Sequence, residues 1–244
     1  MCAARLRPGG GGATLGRMVV AVRQRPKRKL LRPGHRLLRH DRGLGVPLVA
    51  GADEAGRGAL AGPLVAAGVL LDYRRLQGRA CAPLAQLDDS KTRTLAQREE
   101  LYEAVLSCAT RVSVIVAPAR EVDRRGVHRA NLSALARALH GLDAPPGALL
   151  LSDGFRVPLE REHRALIGGD GLSAAIAAAS IIAKVTRDRI MRRLHDDYPA
   201  YGFDGHVGYS TPVHRQALRS HGPCPLHRRS FVTVRTMQLS LLTD

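Results

Sequence analysis

The sequence predicts an α/β fold in which the short strands of one sheet alternate with helices. Three observations support this prediction. Short apolar or alternating runs, the form taken by half-buried and buried strands, recur at 47–53, 64–71, 111–116, 148–151 and 166–169. Segments with helical spacing of apolar residues lie between them, and this alternation is typical of sheets covered by helices. Acidic residues follow three of the strands, where α/β proteins commonly bind ligands.

Each element has its own signal. The first two strands, 47–53 and 64–71, are joined by a segment of small residues, so we expect them to form the start of the sheet. Thr94 opens a Thr-x-x-Gln capping box, which predicts the beginning of a helix. Residues 122–142 hold one or two further helices. The alanine-rich run 174–184 predicts a helix whose small side chains allow it to lie close against the sheet.

Positive charge is concentrated at the amino-terminal end. The formal net charge is +17 and the sequence pI is about 11.1, and both indicate a polyanionic partner such as nucleic acid. Residues 1–46 hold twelve Lys and Arg but only one acid, Asp41, so they carry +11 of that charge. They have few periodic apolar residues. We therefore predict a disordered basic arm over residues 1–46 and a single catalytic domain over residues 47–244.

Cysteine spacing and hydropathy bear on the compartment. The four cysteines, Cys2, Cys81, Cys108 and Cys224, form no Cys-x-x-Cys pair, so the sequence predicts neither a zinc site nor a disulfide framework. No apolar stretch reaches the roughly 20 residues that cross a bilayer. We expect a reduced, cytoplasmic protein with no membrane partner.

Two adjacent carboxylates follow the first strand. Asp53 and Glu54 precede a Gly56-Arg57-Gly58 turn, in which Arg57 offers a fork suited to phosphate. Neighbouring residues of a regular strand point to opposite faces, so we expect a backbone bend at Glu54 to bring both carboxylates into one site. Charges at the end of an apolar strand carry a desolvation cost unless they are paired or bind a metal.

Two more acids follow later strands, Asp153 after 148–151 and Asp170 after 166–169. Taken alone, Asp153-Gly154 is the pattern of an ordinary turn, and Asp170 is suited to capping the next helix. Clustered carboxylates repel one another unless cations lie between them, and hard oxygen ligands suit Mg²⁺ or Mn²⁺. Two such ions about 4 Å apart can activate water and stabilise the leaving oxygen of a phosphodiester. The acids therefore indicate metal-dependent hydrolysis of a nucleic-acid backbone.

The motifs resemble those of ribonuclease HII, the bacterial type 2 ribonuclease H. The resemblance runs from about Pro47 to Val234. It is carried, in the expected order, by the segment 51–58 with Gly62-Pro63, and by Asp89-Ser90-Lys91, Asp153-Gly154, Gly169-Asp170, 176–180, Ala183-Lys184-Val185, Arg187-Asp188, Tyr201-Gly202-Phe203, Gly208-Tyr209 and 227–231.

The resemblance implies an RNase H-like fold, with a mixed five-stranded sheet flanked by helices and a helical carboxyl-terminal part. It implies an endonuclease that cuts the RNA strand of RNA–DNA hybrids and nicks duplex DNA 5′ to an embedded ribonucleotide. The products would be a 3′-hydroxyl and a 5′-phosphate, formed with two divalent ions, by a protein that acts as a monomer. The metal-binding and catalytic residues it implies are Asp53, Glu54, Asp153 and Asp170.

The same resemblance assigns the contacts with substrate. Gly56, Arg57 and Gly58 would contact the ribose 2′-hydroxyl, the group that distinguishes RNA from DNA. Tyr209 would stack on the following deoxyribose, and Lys91 and Lys184 would hold phosphates.

Two departures from the family pattern stand near these residues. Val207 and Ser210 replace the Lys and Pro that commonly flank Gly-Tyr, and Thr92-Arg93 replaces the usual Lys-Leu after Asp-Ser-Lys. Two alternatives remain at this point. One is the related type 3 enzyme, whose turn usually contains Lys and which carries a folded amino-terminal domain. The other is a non-catalytic RNA- or DNA-binding protein on a degenerate RNase H-like fold.

Overall fold

The computed structural model describes residues 17–21, 36–76, 79–92 and 94–240 of the 244 residues, with side chains over 36–76, 81–87 and 94–236. Over these residues the centre of the molecule is one mixed sheet in the order β1-β4-β3-β2-β5-β6. Its strands are β1 Arg17–Ala21, β2 Leu48–Ala55, β3 Leu64–Asp72, β4 Arg111–Ala117, β5 Leu149–Asp153 and β6 Arg164–Leu166.

Strand direction determines where the acidic residues meet. Strands β2, β3 and β4 pair antiparallel, whereas β5 pairs parallel to β2, and β6 parallel to β5. Ala52 is opposite Ser152 in the register of β2 and β5. The residues that follow, Asp53 and Asp153, therefore leave the same edge of the sheet side by side.

Helices cover both faces of the sheet, as predicted. One layer contains α3 Ala119–Arg125 and α4 Val127–His140, and the other contains α1 Arg36–Arg42, α2 Leu95–Cys108 and α5 Ala174–Asp197. The predicted capping box is confirmed, since the Thr94 hydroxyl oxygen accepts a hydrogen bond from the Gln97 N–H and the Gln97 Oε1 accepts one from the Thr94 N–H. The alanine-rich part of α5 lies directly on β2: a Cβ on Gly51 would lie only 2.3 Å from the backbone of Ala175.

The carboxyl-terminal part is helical, with α6 Phe203–His206, α7 Pro212–His221 and α8 Val232–Ser240. A small separate core holds this part together around Met191, Tyr201 and Phe203. The α/β fold with a helical carboxyl-terminal part is therefore confirmed. Its five strands after residue 47 are β2 to β6, and the sixth strand, β1, comes from the segment that we predicted to be an arm.

The predicted boundary of that arm is wrong. Strand β1 pairs antiparallel with β4, and helix α1 buries Leu37 and Leu38 in the main core. Asp41, fully buried, accepts hydrogen bonds from the Tyr73 hydroxyl, the Ser173 hydroxyl and the Ala175 N–H, which fastens α1 to the start of α5. The sequence showed this segment only as basic and short of apolar periodicity, because a helix of seven residues is too short to leave a periodic signal. Residues 1–16 and 22–35 lie outside the described residues, so disorder there stays a prediction.

The prediction of no disulfide is also wrong. Cys81 and Cys108 are joined by a disulfide, with Cα atoms 5.8 Å apart and a sequence separation of 27. Cys81 lies on the 3-10 helix Arg79–Thr92 and Cys108 at the end of α2, so only the packing of these two elements brings the sulfurs together.

Among the helices that the structure describes, none has the length and apolar character needed to cross a membrane.

Candidate active site

Asp53 and Glu54 leave the end of β2 toward different helical layers. Asp53 is buried beside Ser180 of α5, and its Oδ1 accepts a hydrogen bond from the Glu54 N–H at 2.7 Å. Glu54 lies next to Asn131 of α4 instead. The pairing of β2 with β3 continues without interruption to Ala55 and Val65, so the bend that we expected at Glu54 is absent. The side chains diverge as a regular strand requires.

Asp153 is the acid that connects the two. It ends β5 and interacts electrostatically with both Asp53 and Glu54. Its Oδ1 accepts a hydrogen bond from the Gly169 N–H at 2.6 Å, so it does more than close a turn. Asp170 follows Gly169 in a 3-10 helix, and Ser173 rather than Asp170 caps α5. The structure thus places Asp153 within electrostatic range of both Asp53 and Glu54, and it fixes the backbone just before Asp170 through the Gly169 N–H.

Burial and mutual repulsion change the acidity of these groups. Burial, followed by the charges of Glu54 and Asp153, raises the pKa of Asp53 from 3.8 to about 8. Burial also raises the pKa of Glu54, and the neighbouring Asn131 and Arg57 oppose that rise. Within the described residues, no three acidic, His or Cys side chains already form a metal-binding group. The donor set nevertheless fits hard divalent ions, because it consists of carboxyl oxygens whose ionised form a bound cation would stabilise.

The Gly56-Arg57-Gly58 turn follows the acids and is fixed from below. Gly56 has φ of +85° and packs directly on Arg187 of α5. Arg57 extends over the Phe155 ring at 4.7 Å, with its guanidinium 3.9 Å from the Glu54 carboxylate. The turn therefore places its backbone and the Arg57 guanidinium beside the Glu54 carboxylate.

Tyr209 and Lys184 lie together on the other side of the turn. The Lys184 ammonium is 5.3 Å from the centre of the Tyr209 ring and forms an ion pair with Asp188 at 2.8 Å. Lys184 is thus already paired in this state, which the sequence did not indicate. Lys91 is on the 3-10 helix Arg79–Thr92, and its side chain lies outside the described residues.

A cavity of about 370 Å³ joins these elements. It is open beside the acids, and its walls come from the end of β2, the turn, α2, α5 and Tyr209. The lining residues that carry polar side chains are Glu54, Arg57, Arg98, Ser180, Lys184 and Tyr209.

Comparison with known proteins identifies the family. The sequence profile of Ribonuclease HII matches residues 50–234, about three quarters of the chain. The chain belongs to the ribonuclease HII family. It is 52% identical over 198 residues to the Ribonuclease HII of Azorhizobium caulinodans, covering 81% of this chain and 73% of that one.

Solved structures agree with this assignment. The ribonuclease H2 of Pyrococcus horikoshii OT3 superposes with a TM-score of 0.68 at 28% identity, over 81% of this chain and 100% of that one. Bst-RNase HIII in complex with Mn²⁺ superposes with a TM-score of 0.64 over 83% of this chain and 72% of that one, and at 20% identity it shows the shared fold alone. This ribonuclease HII is therefore a metal-dependent ribonuclease acting on phosphodiester bonds. The type 3 alternative and the non-catalytic alternative are both wrong.

Two buried arginines support the site, and sequence reasoning gave neither a role. Arg187 donates to the carbonyls of Pro63, Val207 and Ala61, and Arg228 donates to those of Gly62 and Arg57. Both side chains are fully buried, and burial lowers the pKa of both. Their hydrogen bonds to these carbonyls fix the backbone of the turn and of the segment that follows it. In the sequence, the only sign of these two arginines was that they lie in the family motifs. Their hydrogen bonds could not be predicted, because every residue type has a backbone carbonyl.

Three further residues of this ribonuclease HII were missed. Asn131 and Ser180 flank the carboxylates from opposite layers, and Arg98 reaches the cavity from α2. Asn131 is fully buried in α4, next to the Glu54 carboxylate. A buried polar residue on the apolar face of α4 was the available signal.

Proposed function

We propose that this ribonuclease HII cuts the RNA strand of RNA–DNA hybrids and also nicks duplex DNA on the 5′ side of an embedded ribonucleotide. The products would be a 3′-hydroxyl and a 5′-phosphate. One observation supports the proposal: Asp53 and Glu54 both interact electrostatically with Asp153, and Glu54 lines a cavity together with the Gly-Arg-Gly turn and Tyr209. Carboxylates supply metal-dependent phosphodiester chemistry, and the turn lies where it can read the sugar next to the bond that is cut.

Asp53, Glu54, Asp153 and Asp170 would hold two divalent ions, Mg²⁺ or Mn²⁺. When bound, the ions would activate water and neutralise charge on the phosphate. The protein contributes the arrangement of the acids. Asp53 keeps its carboxylate fixed through the Glu54 N–H, and Asp153 keeps its own through the Gly169 N–H.

The Gly-Arg-Gly turn and Tyr209 would each recognise a different part of the substrate. The turn Gly56-Arg57-Gly58 would contact the 2′-hydroxyl, because its backbone lies close to the acids and is held rigidly by Arg187 and Arg228. Tyr209 would stack on the deoxyribose that follows, which makes an RNA-to-DNA junction recognisable. Lys184 and Lys91 would bind phosphates, Lys184 after exchanging its Asp188 partner for the nucleic acid.

We also expect the monomer to be the active form, as the family resemblance implies. For the same reason we expect it to act in the cytoplasm.

The test uses a DNA duplex that contains one ribonucleotide, incubated with Mg²⁺ or Mn²⁺, with the cut mapped at single-nucleotide resolution. We expect a nick 5′ to the ribonucleotide, and at least a hundredfold slower cleavage by Asp153→Asn. Asp197→Asn is the matched control, because Asp197 is exposed at the end of α5 and should not affect the rate.

A continuous RNA–DNA hybrid serves as the second substrate. Cleavage of the hybrid without nicking at the single ribonucleotide would contradict the proposed specificity and leave the family activity intact. Full activity of Asp153→Asn would contradict the assignment of the acids.

A further inference from the structure

A chain of hydrogen bonds between buried histidines ends on Tyr209. His214 Nδ1 lies 2.9 Å from the Tyr209 carbonyl, and His214 Nε2 lies 3.0 Å from His227 Nε2. At the far end, the Cys224 N–H donates to His227 Nδ1 at 3.0 Å. Both rings are almost wholly buried, and neither touches the carboxylates or the cavity described above.

Only one arrangement of protons satisfies this chain. A backbone N–H can only donate, so His227 Nδ1 is an acceptor and its proton is on Nε2. That proton is donated to His214 Nε2, which leaves the His214 proton on Nδ1, facing a carbonyl that can only accept. Both ends of the chain thus require the same tautomers. A second proton on either ring would set two N–H groups against each other.

The surroundings keep both rings neutral. Burial, and for His227 also the adjacent His214, lowers the pKa of each to about 4. The His206 ring stacks on His214 with centroids 4.3 Å apart, and His206 Nδ1 accepts a hydrogen bond from the Gly208 N–H. The Gly208 carbonyl in turn accepts from the N–H groups of Leu60 and Ala61. Gly208 and Tyr209 are therefore held through their backbone by histidines on one side and by the segment after the Gly-Arg-Gly turn on the other.

We propose that His214 and His227 are positioning residues that fix Tyr209, and through it the preference for an RNA-to-DNA junction. The proposal rests on the proposed function, in which Tyr209 stacks on the nucleotide after the ribonucleotide. The tyrosine ring can recognise that nucleotide only if its backbone is held in one place. Thr211 also donates to the Tyr209 carbonyl, so loss of His214 should loosen the residue without releasing it.

The experiment compares kcat/KM for a duplex with one ribonucleotide against kcat/KM for a continuous hybrid, where no junction is needed. His214→Leu removes the donor to Tyr209, and we expect the ratio to fall roughly tenfold, the scale of one buried hydrogen bond. His214→Asn keeps a donor near the position of Nδ1 and should preserve most of the ratio. His140→Leu is the matched control, because His140 is exposed at the end of α4.

A double-mutant cycle separates positioning from a general structural role. If the histidines act through Tyr209, adding His214→Leu to Tyr209→Ala should change the ratio no further than Tyr209→Ala alone. His227→Leu breaks the chain one residue further away and decides the question if His214→Leu does not fold. Equal losses on both substrates, or additive losses in the cycle, would overturn this inference while wild-type nicking upholds the proposed function. Absence of nicking by the wild type would overturn the proposed function first.

Discussion

Gly56 and Arg187 fit so closely that a Cβ on Gly56 would lie 1.9 Å from the Nε atom of Arg187. The contact joins the start of the substrate-reading turn to a buried cation on α5. Arg187 is itself tied to three carbonyls, so it has little freedom to move away. The position of the turn therefore depends on the absence of one methyl group.

Gly56→Ala should destabilise the protein by about 2–4 kcal/mol, because it combines a left-handed backbone with displacement of a buried guanidinium. Urea unfolding measures this directly. Gly58→Ala is the matched control for stability, since a Cβ at Gly58 would meet no atom within 4 Å. We expect Gly58→Ala to change the free energy of unfolding by less than about 0.5 kcal/mol. Equal effects at both positions would show that the Arg187 contact is unimportant.

Asp53→Asn should raise the stability of the metal-free protein while it abolishes cleavage. In the metal-free protein the buried Asp53 carboxyl must take up a proton, because burial and the neighbouring Glu54 and Asp153 disfavour its charged form, and a neutral amide removes that cost. We expect the melting temperature in EDTA to rise by a few degrees. Added Mn²⁺ should stabilise the wild type and have little effect on the variant. A variant less stable than the wild type in EDTA would contradict this account.

The free energy of unfolding should decrease in mild acid, because His214 and His227 stay neutral while they are buried but take up protons in the unfolded chain. Their pKa values are about 4 in the folded protein and near 6.5 in the unfolded chain, so the unfolded chain binds more protons between these values. Their contribution is complete above about pH 6.5 and is lost as the pH falls toward 4. The free energy of unfolding of His214→Asn should therefore depend less steeply on pH than that of the wild type over this window. The raised pKa of Asp53 acts in the opposite direction but is common to both proteins and cancels.

The residues that could be predicted are those whose chemistry is local. Each acid follows an apolar run, and parallel pairing of β2 with β5 then brings Asp53 and Asp153 together. The start of α2 could likewise be predicted from the four residues of the capping box, Thr94 to Gln97. Both inferences need only neighbouring positions and the geometry of strands and helices.

What could not be predicted depends on packing between distant segments. Arg187 and Arg228 look like surface cations in the sequence, yet they are buried because backbone carbonyls of the turn accept their hydrogen bonds. Helix α1 could not be recognised within the basic amino-terminal segment, because only Leu37, Leu38 and Asp41 are buried in it. The disulfide between Cys81 and Cys108 could not be predicted either, because it depends on the packing of two separate elements.

Val207→Lys should strengthen substrate binding. Val207 has φ of +44°, a left-handed conformation that a β-branched residue adopts only under strain, and the family commonly has Lys at this position. A lysine has no β-branch and should therefore lower part of that strain, and its long side chain should carry the ammonium from this buried position toward Tyr209. We expect KM to fall roughly threefold and the salt dependence of binding to steepen by about one phosphate contact. Val213→Lys adds the same charge at an exposed valine of α7, with no left-handed backbone to relieve. If both variants lowered KM equally, the gain would come from net charge, and the departure at Val207 would have no specific cost.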